Sequence, residues 1–475
     1  MKKFSIFSVS VLLVGTMLFS SCKDEVLQKE QQKSVQRAPS DKLKDEIRGY
    51  IIPLNKALEE LSLTLAFLDE ANELENNFSS RKKKENVIFL TKNSPVFSIL
   101  KENDLVNDTV LYVVEFENDN GFVILSADYR YMPIVIAVIE YGNFADFCKL
   151  GDVYENEMNK GIDKLEDMWV GMMSGKFGIG NGMEDWIDLM TRRPDLNGNI
   201  ILEGAWNPID SVAYVGTVLK DFVKPMLTTL WYQGSPFNDE CPTRCRPTEN
   251  APAGCVAIAV GQIVAYHEYP KTIDGYSYDY KGMKRVSAIS SSTPPTNSDK
   301  AEVAKFIRKI GSLCLTTYGC SSSSSTLTFA RNCLDNKLKY PGVDRFAQVS
   351  DGKGTWYTWS SAYEKKTIEA LKRNCPVLVC AAEKNLKGHA WVIDGYAMKQ
   401  SKYIIYRRYT TVEETNTLGG FYLHCNFGWE GIGNGYYIGN IFDTGNSEKL
   451  DDEELIDSNP SRFDWGFGIV TTNKP

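Results

Sequence analysis

Cys255 stands in the most chemically suggestive stretch of the chain, APAGCVAIAVGQIVAYHEYP at residues 251–270. Pro252 and Gly254 are residue types found at helix entries. After them, Val256, Ala257, Ile258, Ala259, Val260, Ile263, Val264 and Ala265 make the segment apolar nearly all round, the pattern of a helix buried on every side. Pro270 closes it. Cys255 therefore falls at the N-terminal end of a central helix. The helix dipole there favours an anion and helps stabilise a thiolate, which is the competent nucleophile. A buried, inert cysteine is the ordinary alternative, and the segments downstream argue against it.

A thiolate nucleophile needs a proton acceptor, and the chain has only three histidines. His267 lies 267 − 255 = 12 residues along the same helix, roughly 18 Å away at about 1.5 Å per residue, and cannot touch Cys255. His389 sits in a strand-like run entered by Gly388, KGHAWVIDGY. His424, also in a strand-like run, is a second candidate base, although a satisfied structural histidine is the more ordinary reading of it. A third group must orient the base. In FYLHCNFGWEGIGNGYY, Asn426 is placed to hold the imidazole tautomer and Trp429 to cover the pair. The developing oxyanion needs donors; the Gln233 side-chain amide in LWYQGSPFN is suitable beside the Cys255 backbone N–H.

These residues need a scaffold. The chain has 475 residues, 43% hydrophobic and 12% aromatic, with a formal charge of −8. That is enough for more than one core, and its mild acidity argues against nucleic acid as a partner. Residues 41–78 have helical spacing interrupted at Pro53, with Leu54, Leu58, Leu61 and Leu65 on one face. From Asp108 the period becomes two: Val110, Tyr112, Val114 and Phe116 share a strand face, residues 118–121 turn, and residues 122–126 return. A second helical pattern covers 154–173. Residues 41–221 thus form a small α+β unit, and a new region begins at 222, with the link at 203–224 more apolar than a connector usually is. Ser321 to Ser325 is a run of five serines whose plain reading is a loop.

The N-terminus predicts export. Lys2 and Lys3 precede an apolar stretch too short for a comfortable membrane span. Phe19-Ser20-Ser21-Cys22 looks like a bacterial lipobox, with Cys22 lipidated, and Lys23-Asp24-Glu25 resembles a signal to the outer surface of Gram-negative cells. A plain secretory peptide is the alternative. Residues 22–40 read as a polar tether. Ten further cysteines are scattered; Cys241 and Cys245 suit a pair or two free thiols, and they lack the second ligand pair of a zinc site.

Taken together, WYQGSPFN, PAGCVAIAVGQIVAYHEYP, GHAWVIDGY and NFGWEGIGNGYY resemble, in order, the streptopain family of papain-like cysteine peptidases. The 389 − 255 = 134 residues between thiol and imidazole suit that arrangement. GFVILSAD at 121–128 resembles the family's propeptide. The resemblance implies an α+β fold, with a papain-like catalytic domain at 222–475 (a helical subdomain plus a β subdomain) preceded by a propeptide domain at 41–221. It implies Cys255 as nucleophile, His389 as base, Asn426 as orienter and Gln233 as oxyanion donor, with Gly388 and a serine of 321–325 bordering the substrate groove. Aligning Tyr318-Gly319 with the family's Tyr-Gly points to Ser324.

Two departures stand out. Phe427 and Glu430 replace the usual Trp and Gly of Asn-Trp-Gly-Trp-Gly, and 426 − 389 = 37 residues separate base and orienter, which a β-hairpin excursion would absorb. The expectation is an exported cysteine endopeptidase zymogen that cuts proteins and peptides through a thioester on Cys255, without metal or cofactor. Its propeptide would be its intramolecular inhibitor and the lipid on Cys22 would tie it to the outer membrane until the peptidase is released. A silent papain-like binding lipoprotein and a papain-like peptidoglycan amidase are the alternatives.

Overall fold

Pro53 fixes where the first helix starts: its φ of −60° and ψ of 141° end the extended entry, and helix α1 runs over Leu54–Ala71. The computed structural model describes residues 52–73, 77–91, 109–127, 134–147, 209–246, 249–320, 322–347, 361–382, 388–407, 411–416, 421–439 and 467–475. The expected leader, Cys22, the tether and the 154–173 helix lie outside these residues. Ala57, Leu61, Leu65 and Leu68 make the buried face of α1, while Leu54 and Leu58 of the expected face are only partly buried at its edge.

The alternating segment forms strands β1 (Lys83–Thr91), β2 (Thr109–Phe116), β3 (Phe122–Ser126) and β4 (Val135–Ile139). The remaining strands of the same sheet are β5 (Ile209–Val223), β6 (Asp344–Phe346), β7 (Val377–Ala382), β8 (Gly388–Arg407), β9 (Thr411–Asn416), β10 (Phe421–Asn426), β11 (Gly435–Ile438) and β12 (Gly468–Thr471). Their order is β1-β2-β3-β4-β11-β10-β8-β7-β12-β6, and β5 and β9 also pair with β8. The N-terminal strands are therefore continuous with the C-terminal ones. The β4–β11 seam pairs Ala137 with Tyr437, Val138 with Tyr436 and Ile139 with Gly435. A Cβ on Gly435 would stand 2.1 Å from the Val138 carbonyl oxygen, so only glycine admits this approach.

Residues 203–224, read as a link, contribute β5, which pairs with β8 from Ile209↔Arg407 to Val223↔Tyr396; the 221/222 boundary falls inside this strand. The 37-residue interval is taken up by the β8–β9 hairpin, as expected.

The helices that matter for the site include α2 (Cys255–His267), α3 (Asn297–Leu313), α4 (Leu327–Asn332) and α5 (Ser361–Lys372). Strand alternation in β8 divides two cores. Trp391 and Ile393 join α1 and β2–β4 in one; Ala390 and Val392 join α2 and α3 in the other. Gly261 lets α2 and α3 close together, since a Cβ there would meet Ile307 Cδ1 at 2.6 Å. Among the described residues no helix is long and apolar enough to cross a membrane.

Candidate active site

The Cys255 end begins with a backbone constraint. Gly254 caps α2 at φ +91°, and a Cβ there would meet the Ser323 carbonyl oxygen at 3.1 Å and Ser323 Cβ at 3.3 Å. The chain turns sharply into the helix and leaves Cys255 as its first residue. The thiol is half-buried. Burial pushes its pKa up, while the backbone N–H groups of Ala390, Val256 and Cys255 itself favour the thiolate and offset part of that rise. Cys380, paired with Ala390 across β7 and β8, is close enough for its own ionisation to be opposed by Cys255.

His389 is the second residue of β8 and is 6% exposed. Its ring stacks on Trp429 at a centroid distance of 4.4 Å and on the more distant Trp391 and Phe427 at 6.2 and 6.3 Å. Its Nε2 lies 2.9 Å from the Phe427 carbonyl oxygen. That oxygen can only accept, so Nε2 carries the hydrogen and Nδ1 keeps the free lone pair. Burial lowers the imidazole pKa to about 4, against the small opposing effect of that bond, so the ring is neutral near pH 7. Among the described residues no hydrogen bond joins His389 to Cys255.

The orienter expected at Asn426 is turned elsewhere. Its Nδ2 donates to the Thr229 carbonyl at 2.9 Å, and its Oδ1 accepts from Gln262 Nε2 at 3.2 Å and from the Gly428 N–H at 3.1 Å. His389 is held by the neighbouring residue's carbonyl, that of Phe427, instead. Gln233 is 7% exposed, and its carbonyl accepts from the Ala253 N–H at 3.0 Å, which places it beside the loop entering α2. Gly388 opens β8 opposite Ala382. Ser324 is exposed and bridges Thr317 through two backbone hydrogen bonds. The serine packed on Gly254 is Ser323, 5% exposed, whose hydroxyl has no partner among the described residues. Glu430 is exposed on the turn after Trp429.

His424, the second candidate base, lies inside an ionic cluster. Nδ1 is 2.6 Å from Asp394 Oδ1 and Nε2 is 3.4 Å from Glu140 Oε2. Burial lowers its pKa, but the two carboxylates outweigh that and raise it to about 10. Asp394 Oδ2 also accepts from the N–H groups of Met226 and Leu227. A protonated imidazole between two carboxylates is a structural ion, not a base.

Sequence reasoning passed over Thr229, Gln262, Asp394 and Glu140, and within the serine run that it marked, it favoured Ser324 over Ser323. One signal was available: Gln262 is the lone polar side chain among residues 256–265. Among the described residues no group of three or more His, Cys, Asp or Glu side chains is placed to hold a metal.

The described site is thus a helix-borne thiol opposite a strand-borne imidazole with its proton assigned. A family model described as Peptidase C10 family matches residues 231–437, which include Cys255, His389 and Asn426. The streptopain of Streptococcus pyogenes serotype M1 is 24% identical over 298 residues, covering 56% of this chain and 64% of that protein. The thiol protease/hemagglutinin PrtT of Porphyromonas gingivalis is 25% identical over 273 residues, covering 52% and 28%. The chain thus spans less than two thirds of the length of these relatives. A fragment of prointerpain A from Prevotella intermedia superposes with a TM-score of 0.47 at 19% identity, covering 78% of this chain and 98% of that one.

Proposed function

We propose that this chain is an exported cysteine endopeptidase made in a latent form, and that residues before Ile209 keep it latent. The observation that carries the reading is the pairing of a thiol at a helix N-terminus with an imidazole whose Nδ1 is left bare by the Nε2–Phe427 bond. In the working enzyme, Cys255 Sγ attacks the scissile carbonyl carbon and its proton passes to His389 Nδ1. The C–N bond then breaks, the proton goes to the leaving amine, and a thioester remains. Water, deprotonated by the same nitrogen, attacks the thioester, and the breaking C–S bond returns the thiol. The Cys255 N–H and the Gln233 amide receive the oxyanion, while Trp429 screens the base from water.

Latency follows from the same geometry. Neutral thiol and neutral imidazole are not hydrogen-bonded, so activation means turning His389 toward Cys255. The contacts that link N-terminal strands to this region support an inhibitory role: β4 lies on β11, and Glu140 faces His424. Because β5 is hydrogen-bonded along β8, release is expected before Ile209, giving a product of about 267 residues (475 − 208). Lipidation at Cys22 would hold the precursor at the outer membrane, and the product would be freed from it.

The test is incubation of the full-length protein with casein and with a thiol-reactive epoxide, beside Cys255→Ala and His389→Ala. The expected result is casein hydrolysis after conversion to the shorter product, with epoxide labelling of Cys255 alone. Cys255→Ala should stay full length and inert. Undiminished hydrolysis by Cys255→Ala would overturn the assignment.

A further inference from the structure

Gln262 is the polar exception in a helix otherwise built from apolar residues, and it is 1% exposed. A buried amide costs free energy unless both of its ends are matched. Here they are. Thr229 Oγ1 donates to Gln262 Oε1 at 2.9 Å, Gln262 Nε2 donates to Asn426 Oδ1 at 3.2 Å, and Asn426 Nδ2 donates to the Thr229 carbonyl at 2.9 Å. The three bonds close a ring that begins and ends at Thr229. Thr229 and Asn426 are 3% and 2% exposed.

The ring has one direction. The Thr229 carbonyl only accepts, so Asn426 must present Nδ2 to it and Oδ1 to Gln262. Gln262 must then present Nε2 to Asn426 and Oε1 to Thr229, whose hydroxyl donates. Turning either amide over sets oxygen against oxygen where few other partners are at hand. Asn426 Oδ1 also accepts from the Gly428 N–H, and Phe427 N–H donates to Asn434 Oδ1 at 3.0 Å. The turn at 426–428 is therefore fixed at both ends, and between them lies the carbonyl that receives His389 Nε2–H.

We propose that Gln262 and Thr229 are positioning residues for the peptidase reaction. By orienting Asn426 they set the Phe427 carbonyl, and that carbonyl keeps the His389 proton on Nε2 and Nδ1 open to the thiol. The proposal rests on the peptidase reading, and it deepens it. The helix that bears Cys255 thereby also governs the tautomer of His389, tying the two halves of the site through one side chain seven positions after Cys255.

The experiment uses full-length protein bearing Cys255→Ala and labelled at histidine nitrogen and carbon, read by NMR, together with kinetics on the converted enzyme. Thr229→Val and Gln262→Met keep volume and remove one or both ring bonds; Thr229→Ser keeps the hydroxyl. In the parent, His389 (assigned by its loss in His389→Ala) should show one tautomer, Nε2–H. Thr229→Val and Gln262→Met should show both tautomers in exchange, and Thr229→Ser should restore the parent signature. In the converted enzyme, kcat per epoxide-titrated site should fall about tenfold in the first two variants, with KM within twofold. Folded variants with the parent tautomer and unchanged kcat per site would overturn the proposal. Should Gln262→Met not fold, Thr229→Val decides alone. If the parent cuts no protein at all, the peptidase reading fails, while the tautomer signature still decides whether the ring sets the imidazole.

Discussion

Alkylation of Cys255 in the full-length protein, followed against pH, tests whether thiol and imidazole are uncoupled. An ordinary thiol with pKa about 8.5 is about 3% thiolate at pH 7, and burial moves Cys255 above its ordinary value. A thiol paired with a histidine ionises near pH 4 and is almost wholly thiolate. The rate at one pH separates these poorly, because a thiolate of low pKa is intrinsically less nucleophilic, by about two powers of ten over such a span. The shape of the profile separates them well. An uncoupled thiol gains about tenfold per pH unit below its pKa, roughly a thousandfold from pH 5 to pH 8, whereas an ion pair is nearly flat there. His389, lowered to about 4, supplies no cation over that range. Iodoacetamide uptake at Cys255, measured by peptide mass spectrometry, should rise steeply in full-length protein, and His389→Ala should leave the profile unchanged. The converted enzyme should show the plateau. A plateau in the full-length protein, abolished by His389→Ala, would refute the uncoupled arrangement.

Other perturbations have equally definite outcomes. Gly254→Ala forces a side chain into φ +91° against Ser323, so it should lower thermal stability by at least about 1 kcal/mol and reduce kcat as Cys255 shifts; activity and melting temperature measure both. His424, raised to about 10, contributes stability that is fully present below its unfolded pKa of about 6.5 and is lost as pH rises through 10. Urea midpoints of inert Cys255→Ala protein should therefore fall between pH 7 and 10. Adding Glu140→Gln should make that fall smaller and complete it at a lower pH, and cost on the order of 3 kcal/mol at pH 7, since one partner of a buried ionic cluster is neutralised. Asn426→Ala breaks the amide ring but not the thiol, so proteolysis should drop about tenfold or more while epoxide labelling of Cys255 persists.

What the sequence disclosed followed from local periodicity and scarcity. The α2 helix that begins at Cys255 was legible because ten consecutive residues after it are nearly all apolar, and that same helix sets His267 aside, three turns away. The β2–β3 hairpin was legible from its alternation. Less visible was anything set by pairing across long separations. The β5 strand reads as an awkward link until β8, whose Tyr396 meets Val223, supplies its partner. Gln262 is conspicuous in its helix, yet nothing local names Asn426, 164 residues on, as its match. Ser323 and Ser324 are chemically identical members of one run, and only the packing on Gly254 tells them apart. Asn426 reads in the sequence as the residue that holds the imidazole tautomer, and here the Phe427 carbonyl makes the bond to His389 Nε2; backbone acceptors have no sequence signature.

If the N-terminal strands depart as proposed, the β4–β11 seam has a consequence for what remains. Residues 435–438 would then be the rim of the sheet, their amides and carbonyls unsatisfied and their flush glycine offering no side chain to ward off a newcomer. Tyr436, Tyr437 and Ile438, now at most 6% exposed, would lose part of their cover. Bare strand rims of this kind recruit extended polypeptide by backbone pairing. A liberated enzyme would accordingly be stickier than its precursor: prone to self-association as concentration rises, and able to grip an unfolded protein at a place remote from the thiol.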